Sequence, residues 1–246
     1  MPAADRSGRN GLDRAGWVIA RLAAIGDSSG MSISSESPGT DPDSEDNTAT
    51  QWANVLLHQR RTTLPRRLQG PGPDPAQQAE ILAAASAAPD HGQLLPWRFI
   101  EVPPSQRARL AEGFAAALLE RDGQADEPAL EQAREKAYRA PWLLLAVARL
   151  RGDDPAIPAS ERLLSTGCAI QNMLLLATAM GLGSGLTSGK ALQSEGLRRL
   201  FGLQPDEDAL CFINIGHVGQ ARKARARPPV SAYFSRLGDP VVERGA

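Results

Sequence analysis

The sequence predicts an α+β fold, and three observations support this class. Segments with helix-like and strand-like hydrophobic patterns occur in mixed order, without the steady strand–helix alternation of a doubly wound sheet. Two apolar runs, at residues 142–148 and 209–215, lack polar alternation, which is typical of strands buried on both faces. The chain has 246 residues, of which 42% are hydrophobic, enough to build one domain with a buried core.

The composition excludes several function classes. The chain carries 27 Lys and Arg against 28 Asp and Glu, and its net charge of -1 gives no general attraction to nucleic acid or to an acidic membrane. Two cysteines and three scattered histidines indicate neither a disulfide framework nor a zinc site. The longest apolar runs, at 142–148 and 173–182, are shorter than the roughly 20 residues of a membrane-spanning helix. We therefore expect a cytoplasmic protein without nucleic-acid or membrane partners.

Residues 1–48 differ in composition from the rest of the chain. They are rich in Ser, Gly, Asp, Pro and Asn, and the stretch 31–50 contains five acids and no basic residue. Such a segment buries too little apolar surface to offset the entropy of ordering it. The sequence therefore predicts a disordered tail over residues 1–48 and a folded domain over residues 49–246.

The folded domain divides into helices and strands at recognisable start and stop signals. Thr50 caps a first helix, and Asp74 followed by Pro75 begins a second. Gly181 and Gly183 end a long helix. In chain order, the predicted elements are helices at 51–61 and 74–87, a strand at 97–102, helices at 105–120 and 128–139, a strand at 142–148, helices at 160–180 and 197–201, and a strand at 209–215.

The long helix at 160–180 is apolar or small on every side, which places it at the centre of the fold or at a subunit interface. Gly167 and Ala169 would let a partner helix approach closely across a dimer axis. A buried core within one chain is the alternative, and we expect Cys168 to be packed in either case.

Arg60, Arg61 and Thr62 lie together at the end of the first predicted helix. Two guanidinium groups beside hydroxyls can hold a phosphate, since arginine offers paired planar donors and threonine a short one. Solvated arginines that complete a helix C-terminus are the alternative interpretation, because cations are favoured at that end.

A polar loop at residues 88–99 connects the second predicted helix to the first predicted strand. Pro89 and Pro96 stiffen it, and loops held by rigid elements commonly bind ligands. His91 in this loop could donate a hydrogen bond to a carbonyl or a ring nitrogen of a ligand. A structural loop with a surface histidine is the alternative, and the residues alone leave both open.

A glycine-rich segment at residues 181–189 follows the long helix and contains Leu186, Thr187 and Ser188. Dinucleotide-binding glycines precede a helix rather than follow one, so neither a Rossmann pattern nor a P-loop fits. Glycines here would let backbone amides approach a flat ligand closely. A flexible connector is the alternative interpretation.

A basic stretch follows the Gly-His-Val-Gly at residues 216–219. It contains Arg222, Lys223, Arg225 and Arg227, which together could hold a phosphate or RNA. Aromatic residues do not interleave with these cations, which disfavours nucleic acid. A solvated loop is the ordinary explanation of such a run.

Together, the four segments resemble the nitroreductase family. The matching features are an Arg-Arg-Thr after the first helix, a Pro-Asp-His loop that ends in Pro-Trp-Arg-Phe, a glycine segment that ends in Ser-Gly, and a strand that ends in Ile-Gly. The resemblance covers residues 51–233 and is to the short bacterial NAD(P)H nitroreductases. It implies an α+β fold with a central, mostly antiparallel sheet flanked by helices. It also implies a homodimer, FMN held in clefts at the dimer interface, and NAD(P)H as electron donor.

The resemblance implies a set of residues for the phosphate and ribityl end of FMN. Arg60, Arg61 and Thr62 would bind this end of the cofactor. Arg225 or Arg227 would supply a further phosphate contact.

A second set of residues is implied for the flavin ring. Leu186, Thr187 and Ser188 would lie along the isoalloxazine and contact it through backbone amides. His91 would contact the flavin from the Pro-Asp-His loop, across the dimer interface from the first set.

The sequence departs from the family pattern at three positions. Leu64 stands near where many relatives carry a lysine toward the flavin pyrimidine edge, Ala87 where relatives often have arginine, and Leu95 where glutamine usually precedes Pro-Trp. Each change removes a polar group that could bind FMN or stabilise its reduced form. Arg66 or Arg67 is the candidate replacement.

The activity implied by the resemblance is an FMN-dependent transfer of electrons from NAD(P)H to a nitroaromatic, a quinone or a similar small acceptor. Donor and acceptor would use the same flavin face in turn, which implies ping-pong kinetics. Catalytic side chains are not assigned, because the flavin carries the chemistry. A non-catalytic flavin-binding or redox-sensing protein on the same fold is the alternative. A different reaction on this scaffold and a nucleic-acid binder rank below it.

Overall fold

The computed structural model describes residues 42–152, 154–219 and 226–238. Its helices are α1 (Pro42–Gln59), α2 (Pro75–Ala84), α3 (Arg107–Arg121), α4 (Glu127–Glu135), α5 (Ala159–Ala179) and α6 (Glu195–Leu200). Its strands are β1 (Leu68–Gln69), β2 (Trp97–Glu101), β3 (Trp142–Arg149), β4 (Gly183–Thr187) and β5 (Glu207–Val218). Short 3-10 turns follow α2 at Ala85–Ala87 and α4 at Lys136–Tyr138.

The strands form one sheet around β5. The strand order is β1–β5–β3–β2, and β4 pairs with β5 as well. β5 pairs with β3 along residues 207–215, with β4 along residues 212–216 and with β1 at residues 217–218. Every one of these pairings is antiparallel, and helices pack on the sheet. The predicted α+β class with a mostly antiparallel sheet is therefore confirmed.

Alternate residues of β3 point to opposite faces of the sheet, and each face carries its own helices. Leu144 and Ala146 pack on one face with α2 and α5, which we name the α5 face. Leu143 and Leu145 pack on the other face with α3, α4 and α6, which we name the α3 face. Burial on both faces explains why residues 142–148 show no polar alternation, and the prediction of a buried strand there is confirmed.

The first helix begins earlier than the sequence predicts. α1 starts at Pro42 instead of Gln51, so the prediction that Thr50 caps it is wrong. The helix takes in residues 42–48, which the sequence assigns to the tail. Residues 48–51 are exposed, so an apolar pattern does not mark this part of the helix. Residues 1–41 of the predicted tail lie outside the described residues.

Two strands, β1 and β4, fall outside the predicted elements. β4 lies in the glycine-rich segment, for which the sequence leaves a flexible connector open. Glycine is a poor strand former, but the whole of β4 pairs with β5, so pairing overrides local propensity. β1 has two residues, too few for a periodic pattern.

The long helix, α5, differs from the prediction in which of its small residues are exposed. Ala169 is fully buried in the core of its own chain, whereas Cys168 is exposed. The small residue that faces outward beside Cys168 is Gly167. The expectation that Cys168 is packed is therefore wrong within one chain. Across the described ranges, the helices are too short or too polar to cross a lipid bilayer.

Candidate functional site

The segment that follows α1 lies directly against β4. The backbone N–H of Thr63 donates to the carbonyl of Ser184 over 2.7 Å, and Thr62 forms an isolated parallel bridge with Ser184. Two of the four segments singled out in the sequence, the Arg-Arg-Thr and the glycine segment, therefore form one surface. The contact carries Arg60 and Arg61 to the same edge of the sheet.

Glycine at position 185 makes this contact possible. A Cβ atom built on Gly185 would overlap the backbone carbonyl oxygen of Thr63. The segment after α1 passes so close to β4 that any side chain at Gly185 would displace it. Gly185 therefore serves close backbone approach, and because residues 183–187 form a paired strand, the alternative of a flexible connector is wrong for this part of the segment.

The outer edge of β4 presents backbone donors. Residues two apart in a strand point their backbone groups the same way. Because the carbonyl of Ser184 turns away from β5 to accept from Thr63, the N–H of Leu186 turns away from β5 as well. Leu186 is exposed, so its N–H is a donor at an accessible edge.

Arg60 and Arg227 come together just before this edge. A guanidinium N–H of Arg227 donates to the backbone carbonyl of Arg60 over 3.0 Å. Burial, and secondly the positive charge of Arg227, lower the pKa of Arg60. An anion bound between two such guanidiniums would relieve their repulsion, and guanidinium geometry suits phosphate. Arg225, the other candidate for this contact, lies outside the described residues, so its role stays a prediction.

A cavity of about 280 Å³ opens between the α3 face of the sheet and helices α3 and α4. Phe114, Leu118 and Phe212 provide apolar walls, and Thr187 and Asn214 contribute polar groups. Small-molecule pockets are mostly apolar with a few convergent polar groups, and typically measure about 300–1,000 Å³. The cavity has the composition of such a pocket, and its volume lies just below that range.

The charged residues that line the cavity are positive. They are Arg121, Lys136 and Arg139, and the described lining residues include no acid. Lys136 starts the 3-10 turn after α4, and the buried Arg107 holds this turn by donating to the carbonyl of Ala137 over 2.7 Å. Positive charge around an apolar cavity favours a ligand that carries or acquires negative charge there.

The loop that contains His91 is held by internal hydrogen bonds. The carboxylate of Asp90 accepts from the N–H of Leu94 over 3.1 Å and from the N–H of Leu95 over 2.8 Å. These bonds hold Leu95 at a φ of 45°, in the left-handed region that non-glycine residues rarely adopt. Such backbone strain persists only where the surrounding structure enforces it, which fits a loop built for binding.

His91 itself makes an ion pair at the start of α5. Its Nδ1 lies 2.7 Å from a carboxylate oxygen of Glu161, and the imidazole is exposed. The hydrogen bond to Glu161, followed by the charge of Glu161, raises the pKa of His91. The pair fixes the orientation of the ring, because Nδ1 carries the proton shared with Glu161 and Nε2 points elsewhere.

Comparison with known proteins identifies the fold and the family. The model of the nitroreductase family matches residues 57–217. A protein of Haemophilus influenzae named "Putative NAD(P)H nitroreductase" is 33% identical over 164 residues, which cover 67% of this chain and 87% of the relative. This chain belongs to the nitroreductase family.

Solved structures of nitroreductases share the fold. A nitroreductase-like family protein from Bacillus cereus superposes with a TM-score of 0.65 at 18% identity, over 84% of this chain and 99% of the other. An NADPH:FMN oxidoreductase from Vibrio harveyi, solved in complex with NAD+, gives 0.57 at 19% identity, over 77% and 78% of the two chains. The antiparallel sheet and its flanking helices are thus the nitroreductase fold.

In this member of the family, one chain brings together some residues of the predicted site and leaves His91 apart from them. The segment with Arg60, Arg61 and Thr62 contacts β4, while Thr187 and Ser188 line the cavity at the end of that strand. His91 lies beside α5, on the opposite face of the sheet, and is not among the described residues of the cavity.

Two residues that line the cavity, Lys136 and Asn214, are not predicted from the sequence. Lys136 falls within a segment read as one amphipathic helix over 128–139, but the helix ends at Glu135 and the turn after it aims Lys136 at the cavity. Arg66 and Arg67, the candidate replacements for the family lysine, are not among the described residues that line it. Asn214 could have been singled out from the sequence, since it is the one polar side chain in the apolar run at 209–215.

Proposed function

We propose that this protein binds FMN and passes electrons from NAD(P)H to a small organic acceptor such as a nitroaromatic or a quinone. As a member of the nitroreductase family, it is an NAD(P)H-dependent oxidoreductase. The observation that carries the proposal is the direct contact between the Arg-Arg-Thr segment and β4. That contact brings the proposed phosphate-binding segment to one end of a strand whose other end opens on a cation-lined cavity.

The residues fit the parts of FMN one by one. Arg60, whose guanidinium is close enough to that of Arg227 to be repelled by it, would donate to the phosphate together with Arg227, and Arg61 and Thr62 follow Arg60 in the chain. The apolar cavity suits the flat ring. FMN, when bound, supplies the hydride-accepting and hydride-donating chemistry, and the protein supplies position and charge. The Vibrio harveyi protein of the same fold is named an NADPH:FMN oxidoreductase.

Leu186 on β4 and the cations of the cavity have separate tasks in this proposal. The N–H of Leu186, turned outward from β4, donates to the ring edge. Lys136 and Arg139 place positive charge where the ring would gain electron density on reduction, which stabilises the reduced form more than the oxidised form. Lys136 thus supplies a positive charge in place of the lysine that many relatives carry near position 64.

We also propose a homodimer in which the second copy completes the site. The outward side of α5 exposes Leu164, which is 69% accessible, and Leu163, around a shallow groove that includes Gly167 and Cys168. Exposed apolar surface of this kind marks an interaction site. In such a dimer, the partner's His91 loop would lie beside the cavity of the first chain and extend it beyond about 280 Å³. The cytoplasm is the proposed compartment.

Steady-state kinetics test the proposed activity. Donor and acceptor that bind in turn at one flavin face give parallel lines in double-reciprocal plots at several fixed acceptor concentrations. Intersecting lines would require both substrates on the enzyme at once and would contradict the shared face. The measurement uses FMN-loaded protein, with NADH and NADPH compared as donors.

A non-catalytic flavin-binding or redox-sensing protein is the second candidate. It is favoured by Leu64 and Leu95, which are both exposed and offer no polar side chain where relatives of this family carry one. It predicts a yellow protein that keeps its colour when NADH or NADPH is added under anaerobic conditions, because neither nucleotide reduces the flavin. Rapid bleaching by either nucleotide would exclude it.

A further inference from the structure

Asn214 is a buried polar residue in the centre of β5. It is 2% exposed, and its strand neighbours Ile213 and Ile215 are fully buried. A polar side chain at such a position costs stability unless its hydrogen bonds are made. Unlike these neighbours, Asn214 faces the cavity on the α3 face. Its hydrogen bonds therefore bear on what the cavity can bind.

The orientation of the Asn214 amide is set by the backbone around it. Its Nδ2 lies 3.1 Å from the carbonyl oxygen of Gly185 and 3.2 Å from that of Phe212. Carbonyl oxygens accept and never donate, so they require the NH₂ group on this side. The reverse orientation would set the amide oxygen against two carbonyl oxygens. The hydrogen-bond network thus fixes the orientation.

This orientation determines the role of the Thr187 hydroxyl. The same Nδ2 lies 3.0 Å from Oγ1 of Thr187, and a nitrogen of this kind can only donate. Oγ1 is therefore the acceptor in this contact, and its own hydrogen is left to donate elsewhere. Thr187 lines the cavity, so that hydrogen is free to rotate toward a ligand bound there.

We propose that Asn214 is a positioning residue that holds the Thr187 hydroxyl as a hydrogen-bond donor to a carbonyl oxygen or ring nitrogen of the bound flavin. The inference rests on the proposed function. Hydrogen bonds to charged acceptors are about twice as strong as neutral ones. A donor fixed beside a ring that gains electron density therefore binds the reduced cofactor more tightly than the oxidised one, and Asn214 tunes the reduction of FMN through Thr187.

The test measures FMN affinity and the midpoint potential of the bound flavin in four forms of the full chain. Thr187→Val removes the hydroxyl and keeps the side-chain shape, and the Asn214 amide retains its two carbonyl partners. Thr187→Ser keeps the hydroxyl and is the matched control. Asn214→Leu removes the positioning amide, and the double variant Thr187→Val with Asn214→Leu measures the coupling.

We expect Thr187→Val to weaken binding of reduced FMN about tenfold more than binding of oxidised FMN, which lowers the midpoint potential by about 30 mV for a two-electron couple. Thr187→Ser should stay near the parent value. Asn214→Leu should give the shift of Thr187→Val, and the double variant should shift no further. If Asn214→Leu does not fold, Asn214→Ser replaces it.

The outcomes separate this inference from the proposed function. A parent protein that binds no FMN would overturn both. A parent that binds FMN, with the potential unchanged in Thr187→Val, would overturn the donor role of Thr187 alone. Additive shifts in the double variant would show that Asn214 acts independently of Thr187, and would overturn the positioning role.

Discussion

The two faces of the sheet differ in how complete they are within one chain. On the α3 face, the cavity has apolar walls, polar groups and three cations, all supplied by residues of one chain. On the α5 face, Leu164 is open to solvent and His91 faces away from the cavity. One chain therefore supplies every described residue that lines the cavity, whereas Leu164 stays exposed within that chain, and we propose that a second copy covers it.

The largest expected effect comes from a charge placed on the open side of α5. Leu164→Asp would bury an unpaired carboxylate at the proposed dimer interface, at a cost of about 3–5 kcal/mol. We expect a monomer with greatly reduced FMN affinity, as measured by analytical ultracentrifugation and flavin titration. Leu119→Asp changes an exposed leucine of α3 and is the matched control. A dimer that survives Leu164→Asp would place the interface elsewhere.

Removing one guanidinium of the anion site should have the next largest effect. Arg60→Ala should weaken FMN binding by about 1–3 kcal/mol, because a charged donor to phosphate is lost. Riboflavin, which has no phosphate, should bind the variant and the parent equally. Arg199→Ala, an exposed arginine of α6, is the control for net charge. An FMN dissociation constant that Arg60→Ala leaves unchanged would remove Arg60 from the site.

Substitutions of Lys136 test whether the cavity supplies the positive charge that relatives carry on a lysine near position 64. Lys136→Met should lower the midpoint potential of bound FMN by about 30 mV, a tenfold change in relative affinity for the reduced form. Lys136→Arg retains the charge and should restore most of the parent potential. Equal potentials in the Met and Arg variants would show that this charge does not act on the flavin.

The smallest expected effect concerns the ion pair on the α5 face. Glu161 raises the pKa of His91, so Glu161→Gln should lower that pKa toward its ordinary value of about 6.5. At a pH between the His91 pKa of the variant and that of the parent, the parent imidazole is mostly protonated and the variant imidazole is mostly neutral. An NMR titration of the His91 ring measures the change. Asp154→Asn, a weaker contributor to the same shift, should lower the pKa less.

The sequence predicts the fold well where hydrophobic pattern alone decides it. The strand at 142–148 is buried on both faces, and this leaves a run without polar residues that can be recognised without a structure. β4 could not be recognised in that way. Gly185 is required by the close passage of the Thr63 backbone, and that contact joins residues more than a hundred positions apart in the chain.

The residues of the candidate site also fall into two groups, those that a sequence motif reveals and those that only the structure reveals. Arg60, Thr187 and His91 lie in short motifs of recognisable spacing, so the resemblance to nitroreductases points to them. Lys136 and Asn214 carry no motif. Lys136 reaches the cavity because α4 ends at Glu135, directly before it. Asn214 reaches the cavity because the alternation of side chains along β5 turns it to the α3 face. Both depend on three-dimensional placement.

The most direct test of the central claim is an anaerobic titration of the purified chain with FMN and then with NADPH or NADH, together with its mass in solution. We expect a yellow dimer that binds one FMN per chain and loses its colour when the nucleotide is added. A colourless monomer that does not retain FMN would contradict the proposed function.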